Sequence, residues 1–287
     1  MTLVAFISDT KTENGIQLHE LATAPNVAGN LISQTGPKRN VVGLFGNSLE
    51  EFQSSGRKLE EIEVLVLSVF SGGRAEVISE LWPHVKVKWI HCLSAGVDTL
   101  VPVLKTLPGA LETPLTNAKG AFSRSLAEYS VAAMMYFNKQ IPRLQALGRR
   151  STDQGTVDVR GAMRRVAIEC ATKRSMGRTV DAEELYGKTC GFVGFGDIAQ
   201  TTAKLCRALG MRVLGWRNRR GLPGEERGPC RGRSQEELAD AMFYAGDGPQ
   251  AKEEVFKQSD FVICSLPGGE ATYHACGAAD FAVRGPG

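Results

Sequence analysis

The sequence predicts an α/β protein built on parallel sheets. Two observations carry that reading. Short apolar runs alternate with amphipathic stretches in the first hundred residues, the runs being LVAFIS, NVVGLFG, EVLVLSV and VKVKWIHCL. The last three are rich in Val, Ile and Leu, as expected of strands buried on both faces of a parallel sheet. From Tyr186 onward the pattern sharpens into strand GKTCGFVGFG, helix DIAQTTAKLCRALG and strand MRVLGW, a βαβ order. With 287 residues, 43% of them hydrophobic, the chain is long enough for one large or two ordinary domains with a buried core.

Taken in order, AEVISELWPHV has apolar residues at helical spacing and ends at Pro83. SRSLAEYSVAAMMYFNKQIPRLQALGRR reads as one or two helices interrupted near Pro142, with Ser123 or Ser125 as the N-cap. Residues 151–180 are Arg-rich and weakly periodic, with Arg160, Arg164, Arg165, Lys173, Arg174 and Arg178, and read as an insertion or long loop. After MRVLGW come a Gly/Pro/Arg-rich loop, a helix AKEEVFKQ and a strand DFVICSLP.

Charge excludes several function classes. A net charge of +3 with 23% charged residues does not suit a nucleic-acid or membrane-surface protein. The basic 151–180 stretch lacks interleaved aromatics for base stacking and is interrupted by acidic residues, so it reads as solvated surface. No apolar run approaches the roughly eighteen residues that span a bilayer, and the first residues do not resemble a secretory signal; a cytoplasmic protein is expected. The seven cysteines, at 92, 170, 190, 206, 230, 264 and 276, never form C-x-x-C. Reduced, buried thiols are expected, not disulfides or a metal site.

The stretch GFVGFGDIA fits G-x-G-x-x-A, with Gly194, Gly196 and Ala199 in the small positions. The match alone is weak, but an apolar strand runs in, a helix runs out and Gly210 stops it. In a dinucleotide-binding loop the first glycine permits the tight turn, and the second lets backbone approach a pyrophosphate. The third small residue lets helix pack on strand. The anion sits at the helix N-terminus, where free N–H groups and the macrodipole favour negative charge. Phe195, Asp197 and Ile198 belong to the same turn and count as cofactor-binding positions. The competing reading, a tight βα turn without ligand, is the weaker one in this setting.

About twenty residues on, an NAD site places a carboxylate on the adenosine ribose. Here Trp216 is followed by Arg217, Asn218 and Arg219. Guanidinium groups there suit a 2′-phosphate and can stack on adenine, so NADP(H) is favoured over NAD(H). The alternative is that these arginines solvate a loop.

Four stretches in order resemble the D-isomer-specific 2-hydroxyacid dehydrogenase family: VKWIHCLSAGVDTL, LTNAKGAFSRSLAEYSVAAMM, LYGKTCGFVGFGDIAQTTAKLCRALGMRVLGW and SDFVICSLPGGEATYH. The resemblance implies a flavodoxin-like substrate domain, here residues 1–117, and a Rossmann NAD(P)-binding domain, here 118–287 with the basic insertion at about 151–180. It also implies that backbone N–H groups of Ala95 and Gly96 hold the substrate carboxylate, and that Leu266, Pro267 and Thr272 line the nicotinamide ribose. Asp98 reads as a cap or turn, His91 as a satisfied structural histidine and Glu128 as structural. Ser259 and Asp260 are expected to cap the start of the last strand.

In the family, hydride transfer uses an Arg in a G-R-G turn, a Glu and a His. None can be placed in this sequence, and Arg284 and His274 do not match those positions. The expectation is a chain that stops before the catalytic residues, leaving the Rossmann domain incomplete and DFVICSLP an apolar edge. Such a chain binds cofactor at best. The complete product is expected to be an oxidoreductase acting on a small 2-oxo or 2-hydroxy acid, and a homodimer. The alternative is a non-catalytic, dinucleotide-sensing protein of the family's co-repressor kind.

Overall fold

In the computed structural model all strand pairing among the described residues is parallel, and it forms two sheets. The structure describes residues 2–9, 11, 41–69, 73–142, 145, 183–219 and 235–283. They fall into two units, Met1–Ala121 and Phe122–Gly287. The basic stretch 151–180 lies outside the described residues.

The first unit runs β1 (Thr2–Ile7), β2 (Val41–Gly46), α1 (Leu49–Gln53), β3 (Ile62–Leu67), α2 (Val77–Leu81), β4 (Trp89–Cys92), α3 (Leu100–Leu104) and β5 (Leu115–Asn117). Its sheet order is β2-β1-β3-β4-β5. The period-2 alternation of strand side chains sends Leu3, Ala5, Ile7, Leu65, Leu67, Ile90 and Cys92 to one face. There they pack with Phe52, Ile78, Leu81 and Leu100 from the helices. Val4, Val64 and Val66 fill the opposite face with Phe6 and Leu93. So β1 and β3 are buried on both sides, as their composition predicts.

NVVGLFG departs from that expectation. Among the described residues β2 is an edge strand, and Val42, Gly43, Leu44 and Phe45 are all at least partly exposed. Its apolar character serves one partner, with the Phe45 ring stacked on Phe6 at 4.7 Å. AEVISELWPHV forms α2 and then a 3-10 turn, Trp82–His84, in which Pro83 takes an early position that needs no N–H.

The second unit runs α4 (Ser123–Asn138), β6 (Thr189–Val193), α5 (Asp197–Ala208), β7 (Arg212–Arg217), α6 (Gln235–Leu238), β8 (Ala241–Tyr244), α7 (Gln250–Gln258), β9 (Phe261–Cys264) and α8 (Ala278–Ala282). Its sheet order is β8-β7-β6-β9. The N-cap of α4 is Phe122, without a side-chain capping bond, which corrects the assignment to Ser123 or Ser125. Ser123 is already helical and buried, so its hydroxyl sits inside the first turn and not ahead of it. The helix ends at Asn138, short of Pro142.

β8 is a second correction, since AMFY falls in what the sequence reads as loop. Four residues are too few for period-2 alternation to stand out.

Two aspartates repeat one device. Asp240, just before β8, accepts the Val213 N–H of β7 at 2.7 Å while its own N–H goes to the Val213 carbonyl at 2.8 Å. Asp260, just before β9, does the same to Thr189 of β6, at 2.7 and 2.9 Å. Each carboxylate thereby satisfies a donor at the start of the neighbouring strand and helps set its register. Asp260 thus serves β6, while Ser259, expected to share the capping, does not. Its buried hydroxyl has no hydrogen-bond partner among the described residues. Among the described residues β9 is an edge strand, with Phe261, Val262 and Ile263 partly buried and Cys264 exposed.

Candidate functional site

Three strand ends meet at the glycine loop. Gly194 follows β6 with φ +91°, a left-handed conformation that favours glycine. Its N–H donates to the Trp216 carbonyl at the end of β7 (2.9 Å), and its carbonyl accepts the Ser265 hydroxyl after β9 (2.8 Å). A Cβ at Gly194 would stand 2.9 Å from the Ser265 carbonyl oxygen and 3.0 Å from Leu266 Cδ2. The chain crosses here because no side chain intrudes.

Gly196 is different: it is exposed, and a Cβ there would meet nothing within 4 Å. It is the N-cap of α5 and offers no capping side chain, so the first N–H groups of a twelve-residue helix face an open surface. Behind the loop, Ala199 and Ala203 are fully buried, and their size lets α5 lie close on the sheet. Gln200 Nε2 donates to the Phe195 carbonyl at 3.2 Å and steadies the turn. Gly210, at φ +75°, provides the left-handed stop after α5.

The other positions divide clearly. The Phe195 side chain is 1% exposed and packs edge-on against Phe192, so only its backbone faces the loop. Asp197 and Ile198 are half-buried in the first turn of α5. Trp216 and Arg217 are half-buried at the end of β7, with Asn218 and Arg219 exposed beyond. Leu266 reaches toward Gly194, Pro267 is exposed, and the Thr272 hydroxyl donates to the Pro267 carbonyl at 2.6 Å, folding that loop on itself. Trp216, the glycine turn and Leu266 are therefore neighbours.

Ser265 escaped sequence reasoning although it bonds the glycine turn directly. The available signal was a lone hydroxyl between Cys264 and Leu266 at a strand end.

In the first unit, Ala95 and Gly96 are exposed on the loop after β4. Their carbonyls take the internal bonds, from Asn117 Nδ2 at 2.6 Å and Ser94 Oγ at 2.5 Å. Among the described residues their N–H groups meet no acceptor, which leaves two outward donors. Asp98 is exposed beside Gly96.

His91 Nδ1 is 2.8 Å from Thr116 Oγ1, which also accepts Trp89 Nε1 at 2.8 Å. Burial lowers the His91 pKa from its ordinary value of 6.5. Above pH 6.5 the ring is neutral folded and unfolded. As pH falls below that, the unfolded chain takes up a proton that the folded chain resists, and stability is lost toward the lowered folded pKa. An NMR titration of the His91 ring checks this: the expected midpoint lies below 6.5, and one at or above it would refute the assignment.

Among the described residues no cluster of His, Cys, Asp and Glu could hold a metal ion, and no helix is long and apolar enough to cross a membrane. His274 is exposed, with φ +52° and its ring against Tyr273. Arg284 lies outside the described residues.

Comparison with known proteins agrees with this geometry. The family "D-isomer specific 2-hydroxyacid dehydrogenase, NAD binding domain" matches residues 159–287. A glyoxylate reductase of Thermococcus gammatolerans is 34% identical over 103 residues, which is 36% of this chain and 26% of that protein. A D-3-phosphoglycerate dehydrogenase of Methanocaldococcus jannaschii is 27% identical over 186 residues, 65% of this chain and 29% of that one. The matched stretch is thus under a third of the length of either relative. Among solved structures, apo D-mandelate dehydrogenase of Rhodotorula graminis shares the fold with a TM-score of 0.63. The two are 19% identical over 100% of this chain and 72% of that one. The glycine turn on β6 and the parallel sheet around it lie within residues 159–287, the part of the chain that matches the NAD-binding domain of the D-isomer-specific 2-hydroxyacid dehydrogenase family.

Proposed function

We propose that this chain binds a nicotinamide dinucleotide at Gly194–Ile198 and serves hydride transfer between that cofactor and a small 2-oxo or 2-hydroxy acid. The observation that carries the reading is the pairing of a crossed glycine with an open one. Gly194 has φ +91° and no room for a side chain, while Gly196 opens an uncapped helix N-terminus to solvent. Backbone N–H groups of Gly196, Asp197 and Ile198 would hold the pyrophosphate there. Leu266, Pro267 and Thr272, on the loop touching Gly194, would line the nicotinamide ribose. The cofactor supplies the hydride; the chain's residues bind and orient. In the first unit the outward N–H groups of Ala95 and Gly96 would hold the substrate carboxylate. The names of the relatives, a glyoxylate reductase and a phosphoglycerate dehydrogenase, support that substrate class.

Arg217 ends β7 and Asn218 and Arg219 follow it, where the adenosine ribose would lie, and no carboxylate stands among them. The preferred cofactor is NADP(H), with a 2′-phosphate taken by charge-assisted bonds. Fluorescence titration should find NADPH bound about tenfold tighter than NADH, a difference of about 1.4 kcal/mol. Arg217→Asp should narrow or reverse it. Equal affinities in the unsubstituted chain would sink the NADP(H) preference, and no binding of either would sink the site.

Association into a homodimer is supported by α4, which keeps Leu126, Tyr129 and Phe137 exposed at 42%, 74% and 65%. An apolar patch of that kind suits a partner surface. The domain reading proposed is a substrate domain over 1–117 and a nucleotide-binding domain over 118–287.

A further inference from the structure

In the loop after β4, every carbonyl from Ser94 to Val97 is held from within the first unit, while the Ala95 and Gly96 N–H groups meet no acceptor among the described residues. The Ser94 carbonyl accepts the Ala118 N–H at 3.1 Å, and the Ala95 carbonyl accepts Asn117 Nδ2 at 2.6 Å. The Gly96 carbonyl accepts Ser94 Oγ at 2.5 Å. The Val97 carbonyl accepts the Leu100 and Val101 N–H groups of α3, at 3.0 and 2.9 Å.

A peptide unit is planar and trans, so its carbonyl and its N–H point in opposite directions and turn together. The Ala95 N–H shares a plane with the Ser94 carbonyl, and the Gly96 N–H shares one with the Ala95 carbonyl. The Ala118 N–H therefore fixes the direction of the first donor, and Asn117 Nδ2 fixes that of the second. The same bonds keep the carbonyl oxygens turned away from the side that the two donors face. An anion approaching there meets N–H dipoles and no opposing carbonyl.

Asn117 is itself held in one orientation. It ends β5 in register with Cys92 of β4, and its Oδ1 accepts the Lys119 N–H at 3.4 Å. With the amide oxygen engaged there, the amino end meets the Ala95 carbonyl. An aspartate of the same shape could not replace it, since a carboxylate has no hydrogen to donate and would oppose that carbonyl oxygen.

We propose that Asn117 is the positioning residue of the substrate carboxylate site, fixing the Gly96 N–H through the Ala95 carbonyl without touching the substrate. Its part in binding rests on the carboxylate reading of Ala95 and Gly96 given above. Because Ala118 holds the neighbouring peptide through its backbone, loss of the Asn117 amide frees one donor and leaves the other in place. Hydrogen bonds to a charged group are strong enough that freeing one of the two lowers carboxylate affinity about tenfold.

The test compares the full chain with N117A and N117D by NMR relaxation of the backbone amides, first without ligand. The Gly96 amide should be rigid in the unsubstituted chain, with an order parameter of about 0.85, and fall below about 0.6 in both variants while Ala95 stays rigid. An unchanged Gly96 value, or an equal fall at both amides, would overturn the proposal. Oxalate, a stable carboxylate analogue of a 2-oxo acid, is then titrated. Both amide signals should shift in the unsubstituted chain. In N117A the Ala95 shift should persist, the Gly96 shift should shrink and the dissociation constant should rise about tenfold. Equal constants overturn the role in binding. A merely structural asparagine would lower the thermal midpoint without separating the two amides. Absence of any oxalate shift in the unsubstituted chain counts against the carboxylate reading alone, because relaxation decides the positioning independently.

Discussion

Gly194→Val should abolish dinucleotide binding and destabilise the second unit by about 3 kcal/mol. A β-branched residue at φ +91° is strained by roughly 1–3 kcal/mol whatever its surroundings. The added Cβ also meets the Ser265 carbonyl oxygen at 2.9 Å, and that oxygen is backbone, held because Ser265 N–H donates to Val193 at 2.9 Å. The turn must therefore move, and with it the Gly194 bonds to Trp216 and Ser265. Calorimetric titration with NADPH should show affinity reduced more than about tenfold, a loss of at least 1.4 kcal/mol. Unchanged affinity would remove the glycine turn from the binding site. Gly196→Ala is the control: its Cβ meets nothing within 4 Å, so any loss of affinity there with little loss of stability reports ligand contact and not folding.

Gly191→Val should cost the second unit about 3 kcal/mol through overpacking alone. Gly191 lies in the middle of β6, where a Cβ would stand 2.2 Å from Ser259 Oγ and 2.7 Å from Val255 Cγ1. Val255 is fully buried on α7, and Ser259 is buried with no partner for its hydroxyl, so neither side chain has an open direction in which to yield. Urea unfolding should show a lower midpoint with the slope retained. A midpoint unchanged from the parent would mean that α7 does not press on β6 as described. Adding Ser259→Ala relieves the shorter contact and is expected to recover part of the loss, a coupling that a general destabilisation would not show.

Much of this architecture is legible in the chain. EVLVLSV reads as a strand covered on both faces because its apolar residues are continuous, and β3 lies in the interior of its sheet. GFVGFGDIA reads as strand, turn and helix because glycine spacing and helical periodicity are both local, and Gly194 carries the left-handed backbone that the pattern requires. NVVGLFG misleads for the converse reason. Its composition cannot say how many neighbours a strand has, and β2 has one among the described residues. AMFY was lost because a short strand is specified by its partner β7 and by Asp240, 27 residues from the Val213 N–H that it accepts.

The sequence by itself thus determined the parallel α/β class and the glycine turn, both of which rest on neighbours a few residues apart. Tertiary structure alone decided which groups complete that turn. Ser265 lies 71 residues from Gly194 and Trp216 lies on another strand, yet both bond it. It also decided that Cys190 of β6 and Cys206 of α5 are fully buried while Cys264 at the end of β9 is exposed. Spacing gives no hint of these outcomes, because contact between strand ends and burial across a helix–sheet layer depend on sheet order and register, which the folded chain sets by burying its apolar faces.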